Sequence, residues 1–137
     1  CFSFTDSKFQ IMDLKTTRYK KSITSEKSFR FALEVIKTSK QLINQNEFIL
    51  SKQFMRSGTG IGALIREAHY AESTKDFIHK LAIAQKESDE TIYWIDLMYE
   101  ADYISEEEYD NLKPKAEEIL RLLTSTIVTT KNKLAKN

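Results

Sequence analysis

Residues 73–101, STKDFIHKLAIAQKESDETIYWIDLMYEA, decide the fold. Ser73 with Asp76 three residues on is a capping-box pattern, so a helix should start there. Phe77, Leu81, Ala84, Ser88, Thr91, Ile95 and Met98 then alternate spacings of four and three, the seam of a helix packed lengthwise on another. No proline or glycine interrupts it. Its middle (Ala84, Ser88, Thr91) is small, which lets a partner backbone approach closely.

The partner is the segment before it, about Phe48 to Tyr70, where Leu50, Phe54, Ser57, Ile61, Leu64 and Ala68 repeat the spacing. All three glycines of the chain, Gly58, Gly60 and Gly62, sit in its middle. Three glycines inside a helix cost roughly 2.5–3 kcal/mol against alanine, so something must offset them. Gly58 and Gly62 lie one turn apart on one face, and the reading is close contact with the Ala84/Ser88 patch. A phosphate-binding loop fits less well. Ala63-Leu64 follows the last glycine where a Lys-Ser/Thr pair is needed, and no strand precedes the glycines.

Four stretches in this region carry a resemblance: Arg56-Ser57-Gly58-Thr59-Gly60-Ile61-Gly62-Ala63, Arg66-Glu67-Ala68, Ala71 to Leu81, and Glu87-Ser88-Asp89-Glu90-Thr91-Ile92-Tyr93-Trp94. Together they resemble the four-helix-bundle proteins of the 23S rRNA intervening-sequence family, from about Glu26 to Leu134. The resemblance implies an antiparallel bundle that assembles into a homopentameric ring. Through the accessory proteins of diversity-generating retroelements it also implies RNA or DNA and a reverse transcriptase as partners. Leu64 stands where asparagine is usual and Gly60 where serine is usual; the first removes a polar group from the glycine helix.

Composition fits this picture. A chain of 137 residues makes one domain, and 30% charged with 41% hydrophobic residues suits a soluble helical protein. Cys1 is the single cysteine, so an internal disulfide is excluded and a reducing cytoplasmic setting is expected. No apolar run approaches the roughly 20 residues of a membrane span, and no secretory signal pattern opens the chain. The net charge of +1 hides a split: residues 1–66 hold 12 Lys/Arg against 5 Asp/Glu, residues 67–137 hold 9 against 15. Either the halves pair within one bundle, or a basic face of one protomer meets an acidic face of the next.

Residues 1–24 read as an N-terminal tail and 25–137 as an all-α, antiparallel up-down four-helix bundle. Met12 looks a more natural start than Cys1, so residues 1–11 are expected to be upstream or vector-derived sequence, without order or in chance contact. The first helix should run from near Ser25 to Ile43, burying Phe29, Ala32, Leu33, Val35, Ile36, Ser39, Leu42 and Ile43. Asn44-Gln45-Asn46 makes the turn. Ser105-Glu106-Glu107-Glu108 is a second capping box, opening a fourth helix with Leu112, Ala116, Ile119, Leu123, Ile127 and Leu134 inward. Pro114 should kink that helix or divide it.

A second stripe on the third helix (Ile83, Trp94, Leu97 and Ala101, with Glu87 and Glu90 between) is the candidate oligomer interface, anchored by Trp94. Arg66 and Glu67 are expected to meet Glu87 or Glu90, because buried carboxylates need partners. Lys15, Arg18, Lys20, Lys21, Lys37 and Lys40 are the candidate nucleic-acid contacts, repeated around a ring. The rival reading is a metal-dependent nuclease or hydrolase using Glu67, His69, Glu87 or Glu90. Against it, a di-metal bundle site needs two Glu-x-x-His pairs and only Asp76-x-x-His79 approaches one. HEPN-type ribonucleases place an arginine four to six residues before a histidine, whereas Arg66 precedes His69 by three. Neither metal, cofactor nor catalytic residue is expected. A structural assembly without nucleic acid is the third reading.

Overall fold

Two capping boxes and two turns cut the chain into four helices. The computed structural model describes residues 14–136, with side chains from residue 23 onward. In order the helices are α1 (Leu14–Asn44), α2 (Ile49–His69), α3 (Thr74–Glu100) and α4 (Glu106–Lys136). No strand occurs among the described residues. The expectations for residues 1–11 fall outside them. The Ser73 hydroxyl accepts from the Asp76 amide at 3.0 Å, and Ser105 and Glu108 cap reciprocally, amide to side chain, at 2.9 and 3.1 Å. The α1–α2 and α3–α4 turns place Asn46 and Asp102 at φ 62° and 64°. There the amides of Glu47 and Tyr103 reach back to the carbonyls of Leu42 and Met98 at 2.9 and 2.8 Å. Both are Schellman ends carried by an Asn or Asp that tolerates the left-handed conformation, so neither uses a glycine.

Each helix packs on its neighbours in the chain, and a sparser α1–α4 seam closes the antiparallel bundle. The α3 seam is as its spacing requires: Leu81, Ala84, Ser88, Thr91, Ile95 and Met98 are buried, with Phe77 half-buried. On α2, Phe54, Ser57, Ile61 and Ala68 are buried, but Ile65 takes the deep position expected for Leu64. Leu112, Ala116, Ile119, Leu123 and Ile127 of α4 face inward while Leu134 is exposed.

Three expectations need correction. Gly58 and Gly62 face α1, not α3. A methyl placed on Gly58 would stand 2.7 and 2.8 Å from the Val35 methyls, and one on Gly62 would stand 3.3 Å from Ser28 Oγ; Gly60 has nothing within 4 Å. Ala84 and Ser88 are buried in α3, but the small-residue meeting with α2 is made by Ser57 and Thr91, whose hydroxyls lie 2.9 Å apart. Second, α1 begins at Leu14, because nothing between there and Ser25 breaks a helix. Third, α1 buries Ser28, Phe31, Val35, Thr38, Ser39 and Leu42, leaving Phe29 61%, Leu33 53% and Ile43 43% exposed. The close approach at Gly58 and Gly62 draws in the face with Ser28 and Val35 and turns the other apolar stripe outward. Of the two outcomes expected at Pro114, division does not occur, and α4 runs through it as one helix. The Asp110 carbonyl loses its amide partner there, but both residues are exposed, so water can replace it.

Candidate functional site

The Ser57–Thr91 contact sets the register of antiparallel α2 and α3, and that register builds the surface beside it. It puts Arg56 opposite Glu87 and Glu90. The Arg56 guanidinium donates to Glu87 Oε1 at 3.2 Å, to Glu90 Oε2, and to Gln53 Oε1 at 3.2 and 3.3 Å. One turn further on, Trp94 Nε1–H donates to the same Glu90 oxygen at 3.1 Å. Tyr93 stands edge-on to Trp94, ring centres 5.2 Å apart. Ile83, Glu87, Glu90, Trp94 and Leu97 thus form one stripe beside the buried seam. Of its apolar members Leu97 is exposed, as is neighbouring Tyr93, whereas Ile83 and Trp94 are half-buried, Trp94 against the core.

The expected pairing of Arg66 and Glu67 with Glu87 or Glu90 does not occur within the chain among the described residues. Arg66 sits ten residues beyond Arg56, about 15 Å along the helix, and is exposed without an ion pair among the described residues. Glu67 instead accepts from Lys80 at 3.2 Å. The carboxylates and histidine of the hydrolase reading are separated accordingly. Glu67 and His69 lie at the end of α2, while Glu87 and Glu90 lie against Arg56. Among the described residues no three of His, Cys, Asp and Glu stand together as metal ligands would.

The nucleic-acid candidates also divide. Lys37 and Lys40 are exposed and make no ion pair among the described residues. Lys15, Arg18, Lys20 and Lys21 belong to the first turns of α1, whose side chains fall outside the description. Lys21 and Lys37 are 16 positions apart, about 24 Å on a helix.

Two features escaped the sequence reading. At the α3–α4 turn, Lys113 donates to Asp96 Oδ1 and to the Tyr109 hydroxyl, both at 2.9 Å, and Tyr109 donates to Asp96 at 2.9 Å. Those bonds hold the Lys113 pKa well above the ordinary lysine value despite some desolvation. Tyr99 stacks on Tyr109 at 4.3 Å, and its pKa is raised, chiefly by the negative charge of Glu106. At the opposite end, an open cleft of about 840 Å³ lies between the end of α2, the start of α3 and the last turns of α4. Ile65, Leu81 and Leu123 line it together with Ser125, Thr129 and Lys133. A scan for residues 119–136, which contain no acid, would have found this end in the sequence.

The model of the 23S rRNA-intervening sequence protein family matches residues 20–125, most of the bundle. The chain belongs to that family. Among solved structures, it is similar to the crystal structure of a protein of unknown function from the S23 ribosomal protein family of Bacteroides thetaiotaomicron VPI-5482. The two are 47% identical with a TM-score of 0.77, over 79% of this chain and 97% of that one. No curated protein matches. The matched segment includes every residue of the Arg56–Glu87–Glu90–Trp94 cluster and ends at Ser125, before the three lysines that close α4.

Proposed function

We propose that this family member is a non-enzymatic, homo-oligomeric helix-bundle scaffold that associates with nucleic acid. The carrying observation is its second apolar surface. Phe29, Leu33 and Ile43 on α1, and Tyr93 and Leu97 beside Trp94 on α3, are large apolar side chains that the four-helix core leaves exposed. Apolar stripes on two helices of a small bundle are what repeated association between copies would cover. Glu87 and Glu90 share the single charge of Arg56, so with exposed Asp89 the α3 stripe stays net acidic, while the α1 stripe runs beside Lys37 and Lys40, and the two are complementary in charge. Joining unlike faces is head-to-tail association, which closes into a ring when the rotation allows. The family resemblance supplies the number five and a reverse transcriptase as protein partner, and the single cysteine fits a cytoplasmic setting.

Light scattering after size exclusion tests the assembly: about five times the 16.0 kDa chain mass is expected, and a monomer at micromolar concentration would refute it. Incubating labelled RNA and DNA with the protein and Mg²⁺ or Mn²⁺ tests the non-enzymatic part. Cleavage lost in a Glu87→Gln/Glu90→Gln variant would replace this reading with the hydrolase.

A further inference from the structure

We infer that the bundle end formed by the last turns of α4 and the first turns of α1 is the surface that holds the nucleic acid, gripping the phosphodiester backbone of a duplex. This rests on the nucleic-acid association proposed above and gives it a location that Lys37 and Lys40 do not share.

Charge is the first observation. Residues 119–136 carry Arg121, Lys131, Lys133 and Lys136, residues 14–25 carry Lys15, Arg18, Lys20 and Lys21, and neither segment has an acid. Twenty acids spread over 137 residues would put about four in any thirty such positions. The fold brings the two segments to one end. The ion pairs Lys27–Glu118 (3.3 Å) and Glu34–Lys115 (2.6 Å) fix α1 and α4 antiparallel, so the start of one lies beside the end of the other. Acids gather at the opposite end, where Asp102, Glu106, Glu107, Glu108 and Asp110 surround the α3–α4 turn. The result is a field directed along the bundle, positive at the α4 terminus.

The second observation is that the α4 cations are uncommitted. Lys27, Lys80, Lys113 and Lys115 each hold a carboxylate. Arg121, Lys131, Lys133 and Lys136 are exposed and pair with no acid among the described residues. The nearest acids in sequence to the facing α3 start are Glu72 and Asp76, and the Asp76 carboxylate is occupied by the Glu72 amide at 3.3 Å. The cleft wall that includes Lys133 also presents the hydroxyls of Ser125 and Thr129, which have no bond among the described residues and suit phosphate oxygens.

The rest of the surface selects the ligand class. A membrane-surface helix needs a broad apolar face, and the exposed side of α4 here offers only Val128 and Leu134. A single strand is held by a series of stacking aromatics, whereas this end has Tyr70 exposed among the described residues and Tyr19 in the α1 segment, two rather than a series. A charged, hydroxyl-rich surface with little to stack on fits a duplex backbone read without sequence preference.

Fluorescence anisotropy with labelled RNA and DNA duplexes, between about 50 and 200 mM salt, tests this. Each phosphate contact contributes about 0.9 to the slope of log affinity against log salt, about 3.5-fold over that range. Lys131→Gln/Lys133→Gln/Lys136→Gln should flatten the slope by two to three contacts' worth, with unchanged helix content, while Lys52→Gln on α2 leaves it alone. If Lys37→Gln/Lys40→Gln flattens the slope and the α4 triple variant does not, the location is wrong and the nucleic-acid reading survives. No duplex binding at the lower salt overturns both. Retention on phosphatidylserine vesicles without duplex binding likewise overturns the inference in favour of a lipid surface.

Discussion

Placing alanine at Gly58 and at Gly60 separates two effects that glycine usually mixes. Both positions are interior to α2, so each alanine gains about 0.8–1 kcal/mol of helix propensity. At Gly60 nothing lies within 4 Å of the new methyl, and that gain should appear as added stability. At Gly58 the methyl would meet both Val35 methyls, at 2.7 and 2.8 Å, and Val35 Cβ at 3.2 Å. A valine in a helix has one strongly preferred rotamer, and turning it carries one methyl away only by bringing the other in. Relief must come from moving α1 away from α2, an overpacking cost of about 1–3 kcal/mol. Gly58→Ala should therefore end about 0–2 kcal/mol less stable than the parent, and about 1–3 kcal/mol below Gly60→Ala, since propensity cancels between the two. Urea denaturation followed by circular dichroism, at one fixed protein concentration, measures the gap. Adding Val35→Ala should recover part of the Gly58→Ala loss, a coupling that a double-mutant cycle isolates. Equal stability of the two alanine variants would refute the packing account.

Trp94→Ala should shift the light-scattering mass toward smaller species while ellipticity at 222 nm is nearly kept; an intact assembly would remove Trp94 from the interface. Ser39 Oγ is buried without a partner among the described residues, so Ser39→Ala should stabilise by about 1 kcal/mol, and a loss in urea melts would mean that hydroxyl has an unseen bond. Lys113 and Tyr99 both have raised pKa values, so the folded chain keeps protons that the unfolded chain has released once pH passes about 10. Stability held below that pH is therefore lost as pH rises through the folded values. Urea midpoints at alkaline pH should fall less steeply in Lys113→Gln, and an unchanged slope would discount the Asp96–Lys113–Tyr109 network.

The seam of α3 was legible because helical periodicity alone determines it, and Leu81 through Met98 are inward as read. The face of α1 was not, because it bears two apolar stripes and periodicity does not rank them. Ser28 and Thr38 look like surface residues but are buried, and Ser28 is where Gly62 of α2 approaches. The glycine partner was misplaced for the same reason: small residues on α1 and on α3 offer equal welcome, and only the three-dimensional packing chooses. Arg56 was missed because the α2–α3 register depends on the Ser57–Thr91 meeting, a contact between helices that no spacing within one helix reveals. The basic α4 terminus needed no structure to notice, only a search for missing acids; the fold adds that it lies beside the start of α1.

The α1–α4 seam joins the helices most distant in the chain, and it is the sparsest of the four contacts. It is bridged at the surface by Lys27–Glu118 and by Glu34 with Lys115 and Asn111, exposed pairs worth at most about 1 kcal/mol each. The other three contacts are between consecutive helices and close over short loops, which favours rapid folding. Hairpins are therefore expected to form first and the outer edges to zip last. In the native protein the same seam opens before the interior does, so amides of α1 and α4 that face it should exchange with solvent ahead of those around Ser57 and Thr91.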